Sequence, residues 1–343
     1  MRLAIFVLAT LACGAGSAQT LTSSPARQQN PPHVATATEP QQDSEIEVVE
    51  TNLTTILMTA TDKRGRLLNT LKPEDVRIFE DGVPQTLGVF ERETERPLSL
   101  ALLFDVSVSQ MRTLPAQKAA ARLFLRSVFR PGVDRATVIS FAGNAILQQP
   151  FTSDLAPLEA AVESVGIASR PTGGAGTQTN ASPILPFGGT AIYDALFLTC
   201  FKVLTKAAPN TRRAVILLSD GMDNESRLLP RDAVNGAAYA NATIYGIGIG
   251  TYTVDEQALR YVSEESGGRA FFPTDESDLR AAFAQIEREL RSQYLIAYTP
   301  TNKAHDGMRR NVRIEITNPL LVKDKVKLAY RSYYYVKKSA KAL

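Results

Sequence analysis

A short polar alternation follows one of the most apolar stretches of the chain. In "LLFDVSVS", single valines separate Asp105, Ser107 and Ser109. If the chain stays extended here, these three oxygen-bearing side chains point to one side, while Val106 and Val108 point to the other. A carboxylate and two hydroxyls on one side are hard oxygen donors of the kind that hold Mg²⁺. A turn between a strand and a helix, with Ser109 as its N-cap, would show the same pattern.

Two distant stretches supply further oxygen donors. "FGGTAIYDAL" places Thr190 at the start of a predicted helix, and "VILLSDGMDN" ends a buried strand in Asp220 and a glycine turn. With Asp105, Ser107 and Ser109 they offer three hydroxyls and two carboxylates, and no His or Cys. This set suits Mg²⁺, with Mn²⁺ or Ca²⁺ as alternatives, and does not suit zinc. Because Mg²⁺ takes six oxygens and keeps several waters, one position stays open for an acidic group of a partner.

The elements that must position these residues are strands and helices in alternation. Between residues 96 and 292, apolar strand-like runs alternate with amphipathic stretches, which predicts an α/β fold with a doubly wound, mostly parallel sheet. In such a sheet ligands bind outside the carboxyl ends of the strands, where Asp105 and Asp220 are expected. The predicted strands are LSLALLFD, ATVISFAG, ILQQPF, RAVILLSD, ATIYGIGIG and RAFFPT, and the predicted helices cover residues 113–129, 154–164, 190–206, 230–240, 255–265 and 276–292.

Period-two patterns flank this α/β domain on both sides. An N-terminal β segment covers residues 44–95, where Asp81-Gly82 indicates a hairpin, and a C-terminal β segment covers residues 293–336. A short open sheet is marginally stable unless its apolar face is covered. We therefore predict that the two segments pack together as one small all-β domain, with the α/β domain inserted between them.

The first residues carry an export pattern. Residues 1–18 combine one arginine, an apolar run and small residues, which predicts a secretory signal peptide. The apolar run of about 10 residues is shorter than the ~20 that span a bilayer, so we expect no transmembrane segment in the mature chain. A lipid-modified Cys13 is an alternative, which Thr10 disfavours because a lipoprotein signal usually has leucine there. Residues 19–43 are rich in Gln, Ser, Thr and Pro and predict a disordered tether. The predicted location is periplasmic or extracellular.

The remaining composition excludes several classes of function. The 38 Lys and Arg nearly balance the 35 Asp and Glu, without a long basic stripe for nucleic acid or anionic lipid. The only histidines are His33 and His305, so no Ser-His-Asp arrangement is expected. "GGAGTQT" lacks a phosphate-binding lysine. We expect a protein that is not an enzyme, and we expect Cys200 to be buried.

The motif residues resemble those of the von Willebrand factor type A (VWFA) domain family. The chain is more closely similar to bacterial VWFA-related proteins frequent in acidobacteria, in which an "EDG" hairpin precedes the domain and a Tyr-rich β tail follows it. The resemblance implies a metal-ion-dependent adhesion site (MIDAS). It further implies that Ser107, Ser109 and Thr190 coordinate the ion directly, while Asp105 and Asp220 act largely through water or exchange roles when ligand binds.

The resemblance also implies a function. The expected protein is a secreted or periplasmic adhesion-type module in which the Asp or Glu of a protein partner completes the metal shell. The long loop of residues 169–189 would supply specificity, and the helical stretch 276–292 would transmit ligand binding to the β tail. The alternative is a structural envelope or scaffold protein in which the metal only ties the loops together. Asp223 and Asp194 lie near the motif, either as supports of the site or as ordinary turn and helix-end residues.

Overall fold

The observed elements follow the predicted alternation closely. The computed structural model describes residues 53–92, 95–168, 189–208, 210–250 and 253–336. The predicted signal peptide, the predicted tether and most of the loop 169–189 lie outside these ranges. Within them the strands are β1 Thr54–Thr61, β2 Val76–Glu80, β3 Val83–Gln85, β4 Leu87–Arg92, β5 Leu98–Asp105, β6 Arg135–Phe141, β7 Ala145–Thr152, β8 Arg212–Ser219, β9 Ala242–Gly248, β10 Ala270–Phe271, β11 Tyr294–Tyr298, β12 Arg309–Ile316, β13 Lys327–Tyr330 and β14 Tyr333–Tyr335. The helices are α1 Leu114–Val128, α2 Leu155–Ser164, α3 Ile192–Leu198, α4 Pro230–Ala240, α5 Glu256–Glu265, α6 Glu276–Leu290 and α7 Pro319–Lys323.

A six-stranded sheet forms the centre of the fold. Its strand order is β10-β9-β8-β5-β6-β7, and only β7 runs antiparallel to its neighbour. Every residue of β5 is buried, as expected for a strand that is covered on both faces. Helices α1, α2 and α6 pack on one face, and α3, α4 and α5 pack on the other. The carboxyl ends of β5 and β8 therefore lie side by side at one edge, as predicted.

Two four-stranded antiparallel sheets combine strands from the two flanking segments. Their orders are β13-β1-β11-β4 and β14-β12-β2-β3, so each contains strands from both segments. Asp81 and Gly82 both have positive φ values, 47° and 83°, which are those of the tight hairpin turn expected between β2 and β3. The mostly parallel central sheet and these two antiparallel sheets confirm the predicted fold class. The described residues all belong to one compact unit by their contacts, and the domain boundaries stay a prediction.

The structure departs from the prediction in two places, where a single sequence pattern continues through a change in backbone geometry. The predicted helix 190–206 begins at Ile192 and continues after α3 as π and 3₁₀ turns. The C-terminal run "KVKLAYRSYYYV" bends at Arg331, so that β13 and β14 belong to different sheets. The Arg331 guanidinium donates to the carbonyl oxygen of Ala238 (2.9 Å), and burial lowers its pKa to about 10. This contact joins residues that are far apart in sequence and fixes the bend, so the local sequence contains no pattern that predicts it.

Two further observations concern membranes and the cysteine. None of the helices in the described ranges combines the length and the apolar character that crossing a membrane requires. Cys200 is a free, buried thiol, as predicted, and burial raises its pKa to about 12. A thiol in this state packs as a small apolar side chain.

One buried carboxylate ties the start of the central sheet to α1, and its replacement gives a test of the fold. Asp134 accepts hydrogen bonds from the backbone N–H groups of Leu98 (2.8 Å) and Arg130 (2.9 Å) and from the Arg130 guanidinium. Burial alone would raise its pKa, but these donors hold it below the usual value. We expect Asp134→Asn to cost about 2–4 kcal/mol in the free energy of unfolding at neutral pH.

The acid dependence of this loss can be measured by urea unfolding. Because the folded pKa of Asp134 is lowered, its stabilisation is complete above the unfolded pKa of about 3.9 and disappears as the pH falls through the folded value. The difference in the free energy of unfolding between wild type and Asp134→Asn should therefore become smaller below pH ~3.9. The exposed Arg126–Glu159 pair provides a control, since Glu159→Gln should change stability by at most ~1 kcal/mol. A pH-independent gap for Asp134→Asn would contradict this assignment.

Candidate metal centre

The first three candidate ligands meet at the end of β5, although not by the predicted geometry. The extended chain ends at Ser107, and a 3₁₀ turn begins at Val108. This turn brings the Ser107 Oγ and Ser109 Oγ atoms to 3.0 Å from each other. Val106 is buried in the core, but Val108 is 56% exposed. The expectation that the chain stays extended through Ser109 is therefore wrong, while the convergence of the two hydroxyls is observed.

Asp105 lies at the bottom of the site and is fully buried. Its Oδ1 accepts from the Ser107 backbone N–H (2.9 Å), and its Oδ2 accepts from the Ser219 hydroxyl (2.7 Å). Burial raises the pKa of Asp105 to about 6; the hydrogen bonds from Ser107 and Ser219 oppose this rise, and the charge of Asp220 adds to it. Because β8 pairs with β5, Asp220 follows its strand at the same edge of the sheet as Asp105.

Ser219 is a site residue that the sequence reasoning missed. Its hydroxyl joins two loops, because it donates to Asp105 and accepts from the Gly221 backbone N–H (3.0 Å). The available signal was its position directly before Asp220, at the end of a strand that pairs with β5.

Asp220 directly follows β8, and the chain turns sharply after it. Its Oδ1 accepts from the Met222 backbone N–H (3.1 Å), and its carbonyl oxygen accepts from Asp255 N–H (2.7 Å). Gly221 has a φ of +80°, and a Cβ there would lie 2.7 Å from the Asp255 carbonyl oxygen. The glycine of "SDGMDN" is therefore required both by its backbone conformation and by close packing.

Thr190 is held at the same edge by hydrogen bonds from two directions. Its backbone N–H donates to Asn224 Oδ1 (2.7 Å), and its carbonyl oxygen accepts from Asn224 N–H (3.0 Å). The next residue, Ala191, donates to the Ala142 carbonyl oxygen just beyond β6 (2.8 Å). The loop after Asp220 thus holds the loop of Thr190. The structure brings all five sequence-predicted ligands to one edge of the sheet.

Asp223 and Asp194 have supporting roles. The N-cap of α3 is Ala191, whose side chain cannot accept a hydrogen bond, and Asp223 Oδ2 accepts from Ile192 N–H instead (2.7 Å). Asp194 Oδ1 accepts from the backbone N–H groups of Arg227 (3.1 Å) and Leu228 (2.9 Å). The two carboxylates fasten the loop after β8 to the start of α3, so neither needs to be a ligand.

The donor chemistry fits a divalent cation. Asp105 and Asp220 are both buried, and neither forms an ion pair with a Lys, Arg or His of the described ranges. Two buried carboxylates without a positive partner are costly, and a bound cation would offset that cost. No group of three or more His, Cys, Asp or Glu side chains suited to a metal occurs in the described part of the chain. The hydroxyls of Ser107, Ser109 and Thr190 therefore have to supply much of any shell at this edge.

Ser219 gives a test of how the site is organised. Ser219→Ala removes the hydroxyl that orients the Asp105 carboxylate, and we expect metal affinity to fall ~10-fold or more, as it does when groups that orient ligands are lost. Isothermal titration of the metal measures this change. Ser99→Ala, at the opposite end of β5, removes a hydroxyl bonded to Thr211 and serves as the control with unchanged affinity. Equal affinities in wild type and Ser219→Ala would show that this bond does not organise the site.

The comparison with protein families identifies the α/β part of the chain. The model of the von Willebrand factor type A domain matches residues 100–285, which is more than half of the 343 residues. The chain belongs to the von Willebrand factor type A domain family, as its motif residues suggested. A comparison with curated proteins found no match.

Solved structures of similar fold come from diverse sources. Proximal thread matrix protein 1 of the mussel byssus, with a zinc-occupied MIDAS motif, has a TM-score of 0.47 and 19% identity, over 62% of this chain and 49% of that one. The match spans only about half of the mussel chain. A von Willebrand factor type A protein from Catenulispora acidiphila has a TM-score of 0.45 and 13% identity, over 78% and 74% of the two chains. The corresponding domain of the type V pili tip protein Mfa5 from Porphyromonas gingivalis has a TM-score of 0.43 and 14% identity, over 58% and 96%.

Proposed function

We propose that this chain is a metal-dependent, adhesion-type protein-binding module. One observation carries the proposal: the Ser107 and Ser109 hydroxyls lie 3.0 Å apart beside two buried carboxylates that have no cationic partner within the described ranges. Thr190 completes the donor set at the same edge. The bound ion would supply a strong, directional attraction for an anionic group, and the chain's own residues hold and orient it.

The proposed division of roles follows the hydrogen bonds. Ser107, Ser109 and Thr190 would contact the ion through their hydroxyls. Asp105 already accepts from Ser107 N–H and from Ser219, so its remaining oxygen capacity is suited to holding a metal-bound water. Asp220, which accepts from Met222 N–H, would do the same from the other side.

The partner would complete the shell with an Asp or Glu side chain. A carboxylate is a hard anionic oxygen donor, and in a cleft with few counter-charges its contact with a divalent ion is strong. The surface around the ion would then decide which carboxylate fits.

Mg²⁺ is the proposed ion, with Mn²⁺ and Ca²⁺ as alternatives. Hydroxyl and carboxylate oxygens are hard donors that suit these ions, whereas zinc prefers nitrogen and sulfur. The mussel structure nevertheless carries zinc in a MIDAS motif, so the preference must be measured. Titration of metal-free protein with the four ions should rank Mg²⁺ or Mn²⁺ above zinc, and a reversed order would overturn the choice of ion.

The proposal extends to location and to the class of activity. We propose that the chain is exported to the periplasm or the extracellular space, on the basis of the pattern in residues 1–18. We also propose that it acts by binding rather than by catalysis, which the hydroxyl-rich donor set and the small number of histidines support.

A further part of the proposal is that α6, which is followed by β11 in the flanking sheet, transmits ligand binding to the β segments.

A pair of displayed peptide libraries tests the central part of the proposal. Both contain twelve-residue peptides with random flanks, and they differ only in a central residue that is either Asp or Asn. We expect the Asp library to be enriched on the wild-type protein in Mg²⁺, and not in EDTA or on Asp105→Asn. Equal enrichment of both libraries would contradict the metal bridge and leave the scaffold alternative, in which the metal only ties the loops together.

A further inference from the structure

We propose that an apolar groove next to the metal centre receives a large aliphatic or aromatic side chain from the same partner segment that supplies the metal-binding carboxylate. The groove lies between the N-terminal ends of α4 and α5 and has a volume of about 470 Å³. This inference rests on the proposed function and specifies the partner: an extended peptide with an acidic residue and, a few residues away, a large apolar one.

Four of the seven residues that line the groove present apolar surface to it. Leu229 and Pro230 form one side, and Ala258 and Tyr261 form the other. Leu229 is 49% exposed and Tyr261 is 41% exposed. Large side chains that remain this exposed on both sides of a groove mark a place where a partner can bury apolar surface.

One backbone hydrogen bond joins the groove to the metal centre. Asp255 lines the groove, and its backbone N–H donates to the carbonyl oxygen of the candidate ligand Asp220 (2.7 Å). Met222, whose N–H donates to the Asp220 carboxylate, is itself 48% exposed. Since Asp255 belongs to the groove and is bonded directly to Asp220, the groove and the candidate ligand are close enough for one short peptide segment to reach both.

The edge of the groove carries one charge of each sign, and Asp255 already accepts a hydrogen bond from the Ala258 backbone N–H at the start of α5 (2.9 Å). Arg231 is exposed at the groove and forms no ion pair with any carboxylate of the described ranges. Asp255 offsets Arg231, so the positive charge of the proposed divalent ion would decide the balance and favour an acidic segment over a basic one.

This arrangement gives the two parts of the surface different tasks. The metal would attract any accessible carboxylate, whereas the groove would accept only segments that carry a large apolar side chain at the correct offset. Burial of such a side chain contributes about 1.5–3 kcal/mol, which corresponds to a ~10- to 150-fold preference. The groove would therefore determine specificity among acidic partners.

The Asp library on Mg²⁺-loaded full-length protein tests this inference. We expect the enriched peptides to carry Leu, Ile, Phe, Tyr or Trp at one offset from the fixed Asp. Ala258→Gln narrows the groove and Tyr261→Ser removes one wall, so both should abolish that preference while the Asp requirement remains. An enriched peptide, resynthesised and measured by titration, should bind each variant at least 10-fold more weakly. Ala160→Gln, the same change on the exposed surface of α2, is the matched control.

Each outcome decides between the inferences. An Asp requirement without an apolar preference, or with a preference that the groove variants retain, overturns the groove and leaves the proposed function standing. Apolar peptides that bind equally in EDTA show an independent binding site and also overturn the inference. Loss of the Asp requirement itself refutes the proposed function and this inference with it. Equal melting temperatures of the variants and wild type exclude misfolding as the cause of a loss.

Discussion

Replacing Asp105 by asparagine should greatly weaken metal binding without unfolding the protein. The side chain keeps its shape, so it can still accept from Ser107 N–H and contact Ser219. It loses the negative charge that, together with Asp220, balances a divalent ion. We expect the affinity for Mg²⁺ to fall at least ~100-fold, because groups that merely orient a ligand already contribute ~10–100-fold.

The stability of the same variant should change in a direction that separates a metal site from a structural carboxylate. Asp105 is fully buried without a cationic partner among the described residues, so removal of its charge costs the metal-free protein little or stabilises it. In wild type, saturating Mg²⁺ should raise the melting temperature, because the ion binds only the folded state. In Asp105→Asn this increase should be absent. If the melting temperature of Asp105→Asn in EDTA were much lower than that of wild type in EDTA, Asp105 would stabilise the fold rather than bind an ion.

Removal of the Asp223 carboxylate should weaken metal binding although it is not a proposed ligand. Asp223 caps α3 at Ile192, two residues after Thr190, and also accepts from the Ser226 hydroxyl (2.5 Å). Asp223→Ala should cost about 1–2 kcal/mol in stability through the lost cap. Loosening of the first turn of α3, directly after Thr190, should then lower metal affinity ~10-fold or more. Calorimetric titration of the metal and urea unfolding measure the two effects.

Asp194 provides the matched control for Asp223. It also accepts hydrogen bonds from backbone N–H groups, but these belong to Arg227 and Leu228 in the loop after β8 and not to the residues next to Thr190. Asp194→Ala should therefore lower stability and leave metal affinity within about twofold of wild type, as expected for groups outside the ligand-orienting shell. If both variants lower the metal affinity equally, the cap of α3 is not what positions Thr190.

The fold could be predicted from the sequence because its strongest signals are local. The buried run of β5 and the amphipathic pattern of α1 each specify one element, and their alternation specifies a parallel sheet. The hairpin at Asp81 and Gly82 depends on two residues that tolerate positive φ. In these cases the residues that determine the structure lie within the element itself.

The details of the site could not be predicted because they depend on contacts between distant residues. The turn at Val108 ends an alternation that looked extended, and only the packing of Val106 into the core shows where the strand stops. Ser219 lies next to Asp105 only because β8 pairs with β5. The cap of α3 comes from Asp223, which lies 31 residues from Ile192 in sequence. Residue types identified the candidate ligands, while hydrogen bonds across three loops determine how they are held.

A crystal of the protein grown with Mn²⁺ provides the most direct test of the central claim. Anomalous scattering from manganese locates the ion independently of any assumption about its ligands. We expect one strong peak in contact with the hydroxyls of Ser107, Ser109 and Thr190, with Asp105 and Asp220 around it, and no such peak in crystals of Asp105→Asn. Manganese bound elsewhere, or no peak at this edge of the sheet, would contradict the assignment of a metal-dependent binding site.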